Sequence, residues 1–172
     1  IENGFKKYNA TQIIEWVYEK HVYNFDKMTN LSKKLIQFLK DKIIFDKLKV
    51  VKVEESSLAN KYLLELKDGN RIECVLMKHD YGLSLCVSSQ IGCNMGCSFC
   101  ESGRLKKIRN LTLSEIVMQV TTVSEYEASR IDSIVMMGIG EPFDNFDTVK
   151  RFISVVINNK MIGIGQRHLT IS

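Results

Sequence analysis

Three cysteines stand close together near the middle of the chain, at Cys93, Cys97 and Cys100, with the spacing C-x3-C-x2-C. Three thiolates from one tight loop can converge on one corner of a metal centre. Iron–sulfur clusters usually take four cysteines, so a group of three leaves one iron open for a ligand that is not protein. Gly92 and Gly96 allow the backbone to turn sharply around the metal. The spacing therefore predicts an iron–sulfur site.

Zinc is the alternative metal at this loop. Structural zinc sites usually combine two C-x2-C pairs from separate places in the chain, and this sequence has no second pair. Cys86 would have to supply the fourth ligand. A zinc-stabilised RNA-binding module without catalytic activity is accordingly the alternative from a different functional class.

A second unusual loop, residues 138–142 (GIGEP), follows an apolar run at residues 131–137. A dinucleotide-binding G-x-G-x-x-G fingerprint is excluded, because Phe143 stands where the third glycine is needed. From residue 81 onward the predicted order is strand, loop, helix, strand, helix, strand, which is typical of an α/β barrel or an open parallel sheet. Chemistry in such folds lies at the carboxyl ends of strands, and both unusual loops follow strands.

The patterns divide the chain into three regions. Residues 1–48 predict a small helical domain, with a first helix opening after Thr11 and a second opening after Thr29 or Asn30. Trp16 is interpreted as a core residue of this domain. Residues 49–80 predict a β-hairpin region, with a tight turn at residues 68–70. Residues 81–172 predict the parallel α/β part, where a capping box opens a long helix. The expected fold class is therefore α/β, with two smaller units before the parallel part.

Two possible reactive side chains lie in predicted strands. Glu73 sits on a strand face that is otherwise apolar, and the strand pattern alone favours an exposed carboxylate at a sheet edge. By the same pattern Cys86 is a half-buried strand cysteine. Cys74 is interpreted as a small core residue.

The composition is that of a globular domain, with 172 residues, 45% apolar and 26% charged. No stretch approaches the ~20 apolar residues of a membrane span. A net charge of +4 permits nucleic acid as a partner without establishing it. Five cysteines, three of them within eight residues, argue against a secreted disulfide framework, so a reducing cytoplasm is expected. The missing initial methionine and the strand-like end at residues 168–172 predict a fragment cut at both ends.

Four segments resemble the RlmN/Cfr family of radical S-adenosylmethionine (SAM) RNA methyltransferases, and the likeness covers essentially the whole chain. The cysteine spacing, with an aromatic residue before the last cysteine, is the radical SAM cluster motif. The glycine loop resembles the SAM-binding GGEP-like motif of that superfamily. The segments are residues 86–97 (CVSSQIGCNMGC), 109–112 (RNLT), 136–145 (MMGIGEPFDN) and 167–172 (RHLTIS).

The resemblance implies the first part of a partial (βα) radical SAM barrel, preceded by a small helical accessory domain and a β-hairpin linker. It assigns the three clustered cysteines to a [4Fe–4S] cluster. It assigns Gly140, Glu141 and Ser172 to the binding of SAM.

The resemblance also implies a reaction. Glu73 matches the family's general base, which removes a proton from the adenine carbon that receives the methyl group. Cys86 matches a cysteine that resolves a covalent RNA intermediate by forming a transient disulfide. The implied activity is methylation of carbon 2 of adenine in 23S rRNA and tRNA, through a methyl-cysteine intermediate and with two SAM per turnover. A flavodoxin or ferredoxin would donate electrons to a monomeric enzyme that does not bind membranes.

One departure from the family limits this implication. The family's methyl-carrying cysteine lies near its C-terminus, and no cysteine follows Cys100 here, so the chain by itself is expected to be inactive. A Cfr-like enzyme that methylates adenine carbon 8 is one alternative, although residues 140–145 look more like the carbon-2 branch. A radical SAM enzyme acting on a protein or a small molecule is another.

Overall fold

The N-terminal part of the chain is helical. The computed structural model describes residues 3–45 and 47–172. Helix α1 (Lys7–Ile14) continues into one π-helical segment, Glu15–Glu19, and helix α2 spans Lys33–Lys42. Trp16 packs against the helical core, as its interpretation as a core residue requires, and donates its indole N–H to Asn30 Oδ1 at 2.6 Å. The buried members of this core are Phe25, Met28, Leu31, Leu35 and Leu39.

Both helices begin at other residues than the sequence pattern predicts. Helix α1 already contains Thr11, because it starts after Lys6, whose backbone N–H is taken by Asn9 Oδ1 at 3.1 Å. Helix α2 starts after Ser32, whose Oγ accepts the Leu35 N–H at 3.3 Å. A hydroxyl at this position satisfies one of the free N–H groups of the first turn. The prediction of two helices is confirmed, and the predicted starts are wrong.

In residues 3–45 and 47–172, eight strands build two sheets. The larger sheet has the order β1-β2-β3-β4-β7-β8, with β1 to β4 antiparallel and β4, β7 and β8 parallel. The smaller sheet pairs β5 with β6 at the two ends of the cysteine loop. The strands are β1 Lys49–Glu55, β2 Ala59–Glu65, β3 Arg71–His79, β4 Gly82–Cys86, β5 Gln90–Ile91, β6 Arg109–Asn110, β7 Ser133–Met136 and β8 Leu169–Ile171.

The β2–β3 hairpin confirms the predicted turn. Leu66 donates its N–H to the Asn70 carbonyl at 2.8 Å, and Gly69 takes a φ of 81°, which favours glycine. Strand β3 then pairs with β4, so the hairpin strands and the parallel strands form one continuous sheet. Strand β3 lies between β2 and β4, but its pairing with β4 runs only from Val75 to His79, so Glu73 pairs with Leu63 of β2 alone.

Two helices cover one face of the large sheet. Helix α3 (Leu113–Glu127) starts with the predicted capping box: Thr112 Oγ1 accepts the Glu115 N–H at 3.3 Å, and the Glu115 carboxylate accepts the Thr112 N–H at 2.8 Å. Helix α4 spans Phe146–Val156. Within the described residues, no helix is long and apolar enough to cross a membrane. The core between helices and sheet includes Leu76, Leu85, Ile116, Val120, Val123, Ile134, Met136, Val149, Phe152 and Val156.

The other face of the sheet carries a different set of side chains. Because side chains alternate along a strand, Val75, Cys86 and Val135 point away from the core that contains Leu85 and Ile134. All three are only partly buried. This face is called the open face below, and Cys86 lies on it.

Candidate functional site

Cys86 and Glu73 share the open face. Cys86 lies opposite Val75 on β3 and beside Val135 on β7. Glu73 is two residues before Val75 and therefore projects from the same face, as a diagonal neighbour of Cys86. The Glu73 carbonyl also accepts the Ser88 hydroxyl at 2.7 Å, which holds this part of β3 against the chain that leaves β4. The register thus brings together the two strand residues that the resemblance singles out.

Ser172 belongs to the same face. Thr170 pairs with Val135, and Ser172 is two residues further along the direction of β8. Alternation places it on the side of Cys86, towards the carboxyl end of the parallel strands. Three predicted site residues therefore lie on one face of neighbouring strands.

The surroundings of Glu73 are polar. Its side chain is 44% exposed, and Lys61 Nζ lies 3.5 Å from its carboxylate. Lys61 also pairs with Glu54 at 3.1 Å, and these carboxylates, Glu54 first, raise the pKa of Lys61. A carboxylate near a cation and open to solvent can exchange a proton with a substrate placed over this face.

The pKa of the Cys86 thiol lies above its ordinary value. Burial raises its pKa, and an interaction with the Met137 backbone opposes this only in part. A thiolate is the nucleophilic form of cysteine, so Cys86 needs a base or a change in its surroundings before it can attack.

The three clustered cysteines lie on the loop between β5 and β6. Cys93 is buried and donates its N–H to the Leu105 carbonyl at 2.8 Å, whereas Cys97 and Cys100 are exposed. Cys100 donates its N–H to the Cys97 carbonyl at 3.0 Å, which makes a tight turn. In the part of the chain that the structure describes, no three His, Cys, Asp or Glu side chains are gathered closely enough to hold a metal ion. The donor set nevertheless fits an iron–sulfur cluster in number and chemistry, since three thiols belong to the one loop between β5 and β6.

No pair among the five cysteines is joined by a disulfide. Cys74 is 1% exposed within the main core, on the face opposite Cys86, and burial raises the pKa of its thiol. The interpretation of Cys74 as a core residue is confirmed.

Gly92 and Gly96 differ in how tightly they are packed. Both have a positive φ, 72° and 65°. A Cβ on Gly92 would lie 2.2 Å from the Lys106 carbonyl oxygen, whereas a Cβ on Gly96 would meet nothing within 4 Å. The start of the cysteine loop at Gly92 therefore packs closely against the backbone of Lys106 near its end. The middle of the loop, at Gly96, has no such contact.

Gly92→Ala is expected to destabilise the protein clearly more than Gly96→Ala. Both variants place a side chain in the left-handed region, which lowers the free energy of unfolding by about 1–2 kcal/mol each. Only Gly92→Ala also places a methyl group against the backbone at Lys106, and this contact lowers the free energy of unfolding by about 1–3 kcal/mol more. Urea unfolding of the two variants measures the difference. Equal losses of unfolding free energy would contradict the close packing at Gly92.

The glycine loop follows β7 and contacts the chain after β4. A Cβ on Gly138 would lie 2.7 Å from Ser88 Oγ, and a Cβ on Gly140, whose φ is 109°, would lie 2.6 Å from the Cβ of Gln90. The Glu141 carboxylate accepts the Phe143 N–H at 2.9 Å and so caps the short 3₁₀ helix Pro142–Asn145. The loop therefore stands directly beside the start of the cysteine loop.

Buried polar side chains join these two loops, and the sequence analysis did not assign them a role. The Ser88 hydroxyl accepts the Ile139 N–H at 2.9 Å. The Asn145 amide donates to the Ser89 carbonyl at 3.0 Å and to the Leu111 carbonyl at 2.8 Å. A signal was available, because polar residues interrupt otherwise apolar stretches at these points. The residues are Ser88, Gln90 and Asn145.

Arg109 connects the hairpin to the cysteine loop. Its guanidinium contacts both Asp68 in the β2–β3 turn and Glu115 at the start of α3, at 2.7 Å each. This pairing holds the pKa of Asp68 down to about 2 and also lowers the pKa of Glu115. Since Arg109 pairs with Ile91 just before the cysteine loop, the strand of Glu73 is tied to that loop.

Two family models match the chain. The ribosomal RNA large subunit methyltransferase N-terminal domain matches residues 1–44. The radical SAM superfamily matches residues 87–172, which is half of the chain. The second match contains the cysteine loop, the glycine loop and Ser172, which follows β8.

Curated relatives are similar over the whole chain. Proteins named probable dual-specificity RNA methyltransferase RlmN are 49% identical in Streptococcus thermophilus, covering 100% of this chain and 46% of the relative, and 49% identical in Spiroplasma citri, covering 100% and 51%. A relative with the same name from Acholeplasma laidlawii is 47% identical, covering 100% of this chain and 51% of its own length. The chain thus spans about half the length of these relatives.

A solved structure shares the fold. The crystal structure of a radical SAM methyltransferase from Sphaerobacter thermophilus matches with a TM-score of 0.87 and 34% identity, covering 99% of this chain and 51% of that chain. Its likeness confirms the predicted α/β class, with the parallel strands as part of a radical SAM fold. The chain therefore belongs to the radical SAM superfamily, and it is similar over its whole length to proteins named as RNA methyltransferases.

Proposed function

We propose that the full-length protein methylates carbon 2 of adenine in 23S rRNA and in tRNA. The observation that carries the proposal is the diagonal placement of Glu73 and Cys86 on the open face, at the strand ends from which the cysteine and glycine loops leave. The names of the curated relatives support RNA as the substrate.

The cofactors are assigned to the two loops and the end of β8. Cys93, Cys97 and Cys100 would hold a [4Fe–4S] cluster, while Gly140, Glu141 and Ser172 would contact SAM. Bound together, cluster and SAM supply the radical chemistry and the methyl carbon. The close approach of Gln90 to Gly140 supports this role, because it sets the backbone of the glycine loop directly beside the start of the cysteine loop.

Two side chains of this chain would then act on the RNA. Glu73 would accept the proton that leaves the adenine carbon. Cys86, as a thiolate, would attack the sulfur that joins protein to RNA. A transient disulfide would form as the bond between that sulfur and the RNA-bound carbon breaks, and this carbon would take up a proton and leave as the methyl group of the product. Because burial raises the pKa of Cys86, its thiol must lose a proton before it can attack.

The partner of that disulfide lies outside this chain, whose last cysteine is Cys100. We therefore assign the complete reaction, with its methyl-cysteine and two SAM per turnover, to the full-length protein. We further propose that residues 1–48 form the accessory domain, residues 49–80 the hairpin linker and residues 81–172 the first part of the radical SAM core. A cytoplasmic monomer that receives electrons from a flavodoxin or ferredoxin completes the proposal.

The test uses protein expressed from the complete reading frame and reconstituted anaerobically with iron and sulfide. It is incubated with SAM, a low-potential reductant and either a 23S rRNA fragment or tRNA. Mass spectrometry of the digested RNA is expected to show adenosine methylated at carbon 2.

Other products would assign the protein differently. Methylation at carbon 8 alone would establish the Cfr-like activity. Zinc without iron, together with RNA binding and no methylation, would establish the non-catalytic module. Methylation of neither RNA by an iron-loaded protein that cleaves SAM would point to a protein or small-molecule substrate.

A further inference from the structure

Gln90 is a fully buried glutamine between the two loops, with 0% of its surface exposed. Its side-chain oxygen accepts the Glu141 N–H at 2.9 Å. Its side-chain amide donates to Asn110 Oδ1 at 2.8 Å, on the strand that leaves the cysteine loop. One side chain thus joins the backbone of the glycine loop to the base of the cysteine loop.

Further contacts reinforce this connection. The Gln90 backbone N–H donates to the Ile139 carbonyl at 3.2 Å, so the glycine loop is held at two points. Asn110 extends this hydrogen-bonded link, because its amide donates to the Asp144 carbonyl at 3.0 Å, three residues after Glu141. The Cβ of Gln90 fills the space that a side chain on Gly140 would need.

We propose that Gln90 is a positioning residue that fixes the Gly140–Glu141 backbone relative to the cysteine loop. This inference rests on the proposed function, in which one loop holds SAM and the other holds the cluster. The cluster and SAM must meet within bonding distance, and a shift of the loops against each other would separate them. A satisfied buried polar connection resists such a shift better than apolar packing, because its hydrogen bonds are directional.

The chain offers a matched control in Gln119. This glutamine is also 0% exposed and also makes two hydrogen bonds, from the Ser88 N–H to its oxygen at 2.8 Å and from its amide to the Ser88 carbonyl at 2.9 Å. It fastens α3 to the chain after β4 but does not contact the glycine loop. A purely structural role for Gln90 therefore predicts equal effects at the two positions.

The experiment compares Gln90→Met and Gln119→Met in the reconstituted full-length protein. Methionine keeps nearly the volume of glutamine and removes both hydrogen bonds, so both variants should lose similar thermal stability and keep the parental iron content. Only Gln90→Met is expected to weaken SAM binding, with a rise in Kd of about tenfold, the effect of losing one or two hydrogen bonds. The amides of residues 139–143 should also exchange with deuterated solvent about tenfold faster without SAM.

Three outcomes would overturn the inference: a SAM Kd of Gln90→Met within twofold of the parent, an equal rise in Gln119→Met, or unchanged exchange of the glycine-loop amides. Should Gln90→Met fail to fold, Asn110→Ala decides, because it removes the acceptor of the Gln90 amide and leaves the buried glutamine in place. The SAM Kd should then rise about threefold, and a parental Kd would reject the role. If the parent itself binds neither cluster nor SAM, the proposed function fails first.

Discussion

Replacing Cys93, Cys97 or Cys100 with alanine is expected to remove the iron–sulfur cluster, lowering the iron content from about four per chain to near zero. Each thiolate holds a different iron, so the loss of one leaves two irons without protein ligands. The loss should be nearly complete because Cys97 and Cys100 are exposed and the loop offers no substitute thiol. Iron and acid-labile sulfide analysis after anaerobic reconstitution measures it, together with the brown colour of the parent.

Cys74→Ala is the control for this series. Cys74 is buried in the core between sheet and helices, away from the cysteine loop, so its replacement should lower stability and leave iron content unchanged. Cys86→Ala adds a second contrast, since a zinc site would need Cys86 as its fourth ligand. Retention of iron in all three loop variants would reject the assignment, and so would a parent that takes up zinc alone.

The sequence predicted local structure well where that structure depends on residues close together in the chain. The capping box at Thr112 and the turn around Gly69 form as expected, because both depend on residues within three or four positions of each other. The helix starts were less predictable. Several residues able to cap stand near the beginnings of both helices, and only the position of the helical core selects Ser32 for α2.

The site was predicted from motif residues, and the side chains that hold it together were not. Gln90 and Asn145 act through partners on β6, on the glycine loop and just before β5, far apart in sequence. No periodicity reveals such partners before the strand order is known. The position of Glu73 shows the same limit: its strand pattern suggested a sheet edge, and only the pairing of β3 with β4 brings it beside Cys86.

Cys86→Ala in the full-length enzyme is expected to trap the protein covalently on its RNA. The variant keeps all three cluster cysteines and both SAM-binding segments, so SAM cleavage and addition to adenine should proceed. Release then fails, because no thiol remains to attack the sulfur that joins protein to RNA. The trapped species should appear as an RNA-shifted band that survives denaturation, and multiple-turnover methylation should fall at least ~100-fold, as for loss of a group essential to one chemical step.

Glu73→Gln tests the neighbouring step and separates chemistry from packing. The amide keeps the shape of the side chain but cannot take the proton, so this variant should also bind SAM normally and stall after addition. A core role for Cys86 predicts something different, namely a loss of stability in proportion to its partial burial and no adduct with RNA. Urea unfolding of Cys86→Ala beside the adduct assay distinguishes the two. Turnover of RNA by Cys86→Ala at the parental rate would show that Cys86 does not resolve a covalent RNA intermediate. The placement of Glu73 and Cys86 on the open face would then no longer support the proposed reaction.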